Sequence, residues 1–428
     1  MNKRKTFILL LCAACFWSGI SPAARCGTDG VENVRSKNAE TGLTLAEAVD
    51  AALENNPDLK AAKLNIRIGE AGLQKSELFP NPEIEFEYEN FDEPEQTLTV
   101  GYLLETGGKR KYRRSLAEAA LNGKTAEYEA VRIKIACETA TAFVDLLVAQ
   151  ERLLIAREKE RLAEQIHDIA AQRVQAGQVP PMEEISAQIK LNGARLDVQK
   201  AESETRIART VLSGMWCGTG EDFTKAAGRL EGIEPLPTFE SLAAFLDNAP
   251  GVRLQCREVK TAAENLSLEK RYRIPDLSIS AGMKKVGETD DTVYIVGLSL
   301  PLPLFDRNQA EIARAAADLG RQQAALDVEK NRLLTEVKAV FENMKTAYGQ
   351  VMAIKTKILP SAGKVLEAVK TGYREGEFSL LDLLEAQRTF YEATENYVQS
   401  LGKYHQTVIE LEKKLGRRPS APDLNHLL

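Results

Sequence analysis

From Lys109 to Ala176 the chain runs for about 67 residues without a proline, and Gly123 alone weakens an otherwise strong series of helix formers. A helix of that length spans roughly 100 Å at about 1.5 Å per residue, several times the width of an ordinary domain. Nothing compact can enclose it, so its apolar positions must be covered by other long helices. Gly177 ends the run, Pro180 and Pro181 restart the chain, and Met182 to Met215 form the return helix. An upstream helix from Pro57 to Phe79 and this return helix together approach the length of their partner.

The arrangement occurs twice. Asn56-Pro57 and Pro82-Glu83-Ile84 recur as Ala249-Pro250 and Pro275-Asp276-Leu277, both at an offset of 193. Gly101 in TVGYLLE recurs as Gly297 in IVGLSLP at 196, and AGQVPPMEEISAQ recurs as EGEFSLLDLLEAQ at 199. Order and spacing kept over this distance define two copies of one unit, 44–216 and 238–416, joined by a Gly- and Pro-rich linker at 217–237. The second copy has helices near 251–273, 306–374 and 379–416, with a kink expected at Pro360. Thr44 with Glu47 three residues on is a capping signal for a short opening helix. Ala119, Ala120, Ala126, Ala130, Ala313, Ala315 to Ala317, Ala324 and Ala325 point to close helix packing without one bulky core.

Between the helices lie strands at 82–91 and 96–104, and again at 276–284 and 292–300. In NPEIEFEYEN, Glu83, Glu85, Glu87 and Glu89 alternate with Ile84, Phe86 and Tyr88, a pattern only a strand sorts onto two faces. Leu98, Val100 and Tyr102, then Leu277 and Ile279, then Tyr294, Val296 and Leu298 extend the apolar face, and Asp276 falls opposite. At about ten residues each strand is long enough to cross a bilayer at a tilt. Four strands are too few to close a barrel, whose usual minimum is about eight, so one chain cannot span alone, whereas two, three or four chains would supply permitted totals. On this reading the apolar row faces lipid and the glutamates, with Asp276, face a water-filled lumen. The alternatives are a soluble hairpin with a solvated acidic face and, for the helices, an ordinary long coiled coil.

The N-terminus reads as an export signal over residues 1–24: Lys3, Arg4 and Lys5, an apolar run from Phe7 to Trp17, then Ser21, Pro22, Ala23 and Ala24. Its removal would change the formal net charge from −6 to −9, which argues against nucleic acid as a partner. Cys15 is a weak lipidation candidate. Three histidines, no C-x-x-C, no G-x-S-x-G and no P-loop spacing leave no expected metal site, cofactor or catalytic centre.

Two copies of helix, strand, strand, long helix and hairpin, with ETGGKRKYRRSLAEA after one strand pair and PLPLFDRNQAEIARA after the other, resemble the TolC-like outer-membrane efflux proteins, most closely their cobalt-zinc-cadmium branch. The resemblance covers 44–416. It implies a mainly α protein with a small β part, a homotrimer with a 12-stranded barrel in outer-membrane lipid and an α-helical barrel in the periplasm. It also implies a passive duct, fed by an inner-membrane RND-type proton-driven transporter through a periplasmic adaptor. The hairpin tips that meet the adaptor would be Gly177, Gln178, Val179 and Pro180 in the first copy and Gly376, Glu377, Phe378 and Ser379 in the second. Other ducts of the same fold, for drugs or for secreted proteins, and a periplasmic coiled-coil scaffold are the alternatives.

Overall fold

The computed structural model describes residues 42–90, 94–286 and 291–417. Residues 1–41, with the signal region and Cys15 among them, and residues 91–93, 287–290 and 418–428 lie outside the described residues.

Helix α1 (Leu45–Asn55) opens with the Thr44/Glu47 capping box: Glu47 N–H donates to Thr44 Oγ1 at 3.4 Å while Thr44 N–H donates to the Glu47 carboxylate at 2.9 Å. Helix α2 (Pro57–Glu77) follows, with Asn56 as N-cap and proline at its first position. Strands β1 (Glu83–Asn90) and β2 (Pro94–Leu104) lead into the uninterrupted helix α3 (Lys109–Gln175), which returns as α4 (Met182–Gly214).

After the linker and the short α5 (Phe239–Ala243), the same order recurs: α6 (Pro250–Tyr272), β3 (Leu277–Lys285), β4 (Thr292–Ser299), α7 (Gln309–Ala353), α8 (Leu359–Glu375) and α9 (Leu380–Leu415). Helix α7 begins at Gln309, later than the sequence suggests. Asp306 accepts the Asn308 N–H at 2.9 Å and Asn308 takes a left-handed φ of 58°, so this Asx turn delays the first helical residue.

Between α7 and α8 the backbone widens into a π-turn over Ile354–Ile358. Pro360 explains it. A proline inside an α-helix lacks an N–H and collides with the carbonyl four residues back, and one wider turn moves that carbonyl away. Leu359 N–H accordingly donates to the carbonyl of Ile354. The helical path continues through the proline.

The core lies at mid-height of the helices, where α3, α7 and α9 meet the linker. Phe143, Leu146, Val337, Met344, Val351 and Leu401 are buried there. The linker is bound to this core. Trp216 packs on Phe223 at 6.1 Å, Leu43 pairs with Ala226 in a parallel bridge, and Tyr404 Oη donates to the Glu234 carbonyl at 3.1 Å. His405, 5 % exposed, donates from Nε2 to the Leu230 carbonyl at 2.7 Å. Toward the hairpin end the same core continues through Ile166, Leu366, Tyr373 and Leu383, with Ala163, Leu191 and Ala194 as a separate small contact between α3 and α4. Of the alanines singled out above, only Ala119 and Ala315 are buried within the single chain. Ala120, Ala313, Ala316, Ala317 and Ala324 present small surface outward, and Ala126, Ala130 and Ala325 are half-buried.

Candidate pore-forming sheet and hairpin tips

The four strands form one antiparallel sheet in the order β1-β2-β3-β4. Each half supplies a hairpin, and β2 joins β3 across the halves, placing Val100 beside Ala281 and Leu104 beside Leu277. Residues paired across an antiparallel sheet share a face. One row therefore runs Phe86, Leu98, Met283, Tyr294 and the next Ile84, Val100, Ala281, Val296. Tyr88, Tyr102, Ile279, Leu298 and Leu277 lie on this same face, so all eleven apolar candidates are brought to one side. Its exposure within the chain is high, reaching 82 % at Val296.

The opposite face carries Glu83, Glu85, Glu87 and Glu89 on β1, all exposed, beside Gly101, Thr99 and Thr97 of β2. Lys284 of β3 forms an ion pair with Glu95 of β2 on this side. Asp276 does not join the glutamates. It lies one residue before β3, where its carboxylate holds Lys109 Nζ at 2.8 Å and accepts the Thr106 N–H at 2.8 Å. Lys109 is buried, so the pair fastens the start of α3 to the foot of β3. The sequence hint for this role is the GGK step itself: Gly107 and Gly108 both take left-handed φ values, of 65° and 70°, and turn the chain from strand to helix so that Lys109 faces inward.

Neither β1 nor β4 has a second strand neighbour among the described residues. Two unpaired edges flank a sheet whose one side is a broad apolar surface. Among the described residues no helix is long and apolar enough to cross a membrane, and no group of three or more metal-ligating side chains gathers.

At the far end, both hairpins turn through the same backbone device. Gln178 N–H donates to the Arg173 carbonyl at 2.9 Å and Gly177 N–H to that of Val174 at 2.9 Å. Glu377 N–H donates to Gly372 at 2.8 Å and Gly376 N–H to Tyr373 at 3.2 Å. These are Schellman closures, with the glycines at φ 69° and 85°. The restarts differ. Ser379 and Asp382 build a capping box on α9, whereas Pro181 precedes α4 without a side-chain cap.

The tips also touch each other, which the sequence did not disclose. The Arg173 guanidinium lies 4.9 Å from the Tyr373 ring centre, and its Nη1 reaches the Tyr373 carbonyl at 3.5 Å.

A sheet apolar on one face and acidic on the other, open at both edges and mounted on helices of such length, is the build of a TolC-like outer-membrane channel subunit. The chain belongs to the outer membrane efflux protein family, whose profile matches residues 48–218 and again 242–417. It is 28% identical over 417 residues to the cobalt-zinc-cadmium resistance protein CzcC of Cupriavidus metallidurans, covering 97% of this chain and 100% of that protein. It is 24% identical to the outer membrane protein TolC of Vibrio cholerae, over 87% of this chain and 90% of that one. Among solved structures, the open-state MtrE channel of Neisseria gonorrhoeae superposes with a TM-score of 0.74 at 20% identity, covering 87% of this chain and 89% of that one. The protein is an efflux channel of the outer membrane.

Proposed function

We propose that three copies of this chain close their sheets into a 12-stranded barrel and form the passive exit duct of a tripartite, proton-driven efflux system for heavy-metal cations. The pair of open edges carries the reading. Backbone groups exposed to lipid must be satisfied, so β4 of one copy pairs with β1 of the next until the ring closes. Three sheets of four strands give an even number in the permitted range. The apolar row, Ile84 to Leu298, faces lipid, and Glu83, Glu85, Glu87 and Glu89 line the lumen.

The helices support the same assembly. Helix α4 leaves Met182, Ile185, Ile189, Leu196, Ile207 and Val211 exposed at three-, four-, seven- or eleven-residue steps, a stripe that no helix of its own chain covers. A second copy covers it. The double match to one family profile, with the recurring order of elements, supports descent of the two halves from one unit.

The likeness to CzcC over nearly the whole chain favours metal cations as cargo. No resident metal site is proposed. Rings of lumen carboxylates raise the local concentration of cations without binding them tightly, as suits a duct. The two tips receive a periplasmic adaptor, which couples the duct to an inner-membrane RND-type pump.

Planar-bilayer recording with the glutamates changed tests this. Wild type should give cation-selective steps, and the Glu83→Gln, Glu85→Gln, Glu87→Gln, Glu89→Gln variant should keep conductance but lose several-fold in cation preference. Unchanged selectivity would remove the acidic face from the lumen.

A further inference from the structure

All four strand ends that join helices lie at the same end of the sheet, and there the chain is basic. Helix α3 opens KRKYRR with no acidic residue in its first turn and no side-chain cap on Gly108. Cations at a helix N-terminus oppose the helix dipole, an arrangement that an external anion relieves.

The nearby carboxylates are already engaged. Asp276 holds Lys109, Glu105 holds Arg113, Glu77 holds Arg114, and Glu269 and Asp306 accept from Asn308. Arg110, Lys111, Arg273 and Arg307 are exposed and make no ion pair among the described residues. They come from three different strand–helix junctions, so the charge forms a collar.

Apolar groups share this level. Leu78 and Phe79 project before β1, and Arg110 stacks over the Phe79 ring at 4.1 Å. Beyond β4, Leu300 and Leu302 prolong the alternation of Tyr294, Val296 and Leu298, and Phe305 is 92 % exposed. Aromatic and aliphatic groups interleaved with cations at the rim of an apolar band match the boundary between hydrocarbon and headgroups.

We infer that this collar binds the headgroups of anionic phospholipids in the periplasmic leaflet and so fixes how deeply the sheet sits. The inference rests on the sheet crossing the membrane as proposed above. Charge complementarity selects the partner: each cation lacking a carboxylate faces a phosphodiester, while the stacked Arg110–Phe79 pair and Phe305 enter the acyl boundary.

Native mass spectrometry of the full protein, released from mixed micelles of phosphatidylglycerol and phosphatidylcholine, reads this directly, with bilayer conductance recorded alongside. Wild type should retain phosphatidylglycerol at least about ten-fold over phosphatidylcholine at low salt, and the preference should shrink in molar salt. The Arg110→Gln, Lys111→Gln, Arg273→Gln, Arg307→Gln variant should lose the preference while still conducting. The charge-keeping set Arg110→Lys, Arg273→Lys, Arg307→Lys should retain it. Equal retention of both lipids by a conducting wild type, or an undiminished preference in the glutamine variant, would overturn the collar and leave the channel intact. Failure of wild type to conduct in any bilayer would overturn the barrel and the collar with it.

Discussion

Single residues carry two kinds of constraint here, one in the sheet and one in the helical body. Gly282 in β3 has the Leu98 carbonyl and Thr99 of β2 so close that a Cβ would meet backbone. Gly282→Val should therefore push the two hairpins apart at their junction, at a cost of about 1–3 kcal/mol, and lower the melting temperature of the assembled protein. A melting temperature equal to wild type would show that the strands have slack there.

His405 is the second case. Burial lowers its pKa, and the hydrogen bond to Leu230 opposes that shift only in part. A histidine held neutral in the fold takes up its proton more readily when unfolded, so stability is intact above the ordinary value of about 6.5 and falls as pH drops below it. Chemical denaturation should show wild type losing stability between about pH 7 and 5, with a shallower slope in His405→Gln, whose amide can still donate to Leu230. Equal slopes would place the acid sensitivity elsewhere. Neither residue's role was visible in sequence, because both depend on what a distant segment brings against them.

Elements were more legible, and the reason is periodicity. The alternation in NPEIEFEYEN and the proline-free run to Ala176 impose periods of two and 3.6 that no tertiary contact reverses over such lengths. Boundaries slipped where a turn intervened, as at Asp306 to Asn308. Pro360 shows how far a local rule reaches: it marks the disturbed turn, but the response is a π-turn upstream of it. Pro360→Ala restores the missing donor and should let the path return to α geometry, slowing amide exchange over 354–360 and adding about 1 kcal/mol of stability. Exchange unchanged in that window would mean that packing, and not the proline, holds the wide turn.

The tips make a second test at this scale. Arg173→Ala removes the contact to Tyr373 and should loosen one hairpin from the other by about 0.5–2 kcal/mol, seen as faster exchange in both tips. Faster exchange confined to the first would show that the pair does not couple them.

At the scale of the molecule, the two-unit order and the amphipathic strands were readable, but the partner of each strand was not. Pairing of β2 with β3 joins residues nearly two hundred positions apart, and register is set by faces and turns that only the folded chain assembles. Asp276 illustrates the limit. Its alternation put it with the glutamates, yet it precedes the strand and is drawn to Lys109 instead. The exposed α4 stripe and the outward-facing alanines likewise gain meaning only from a second copy.

Closure of the open sheet by three chains is the central claim, and disulfide trapping between its edges tests it most directly. In a cysteine-free background, Phe86→Cys on β1 is combined in turn with Tyr294→Cys, Val296→Cys and Leu298→Cys on β4, all on the apolar face. One pairing in the series should give a closed three-chain product on a non-reducing gel, with no larger ladder. Monomer throughout the series, or an open ladder beyond three, would contradict the barrel.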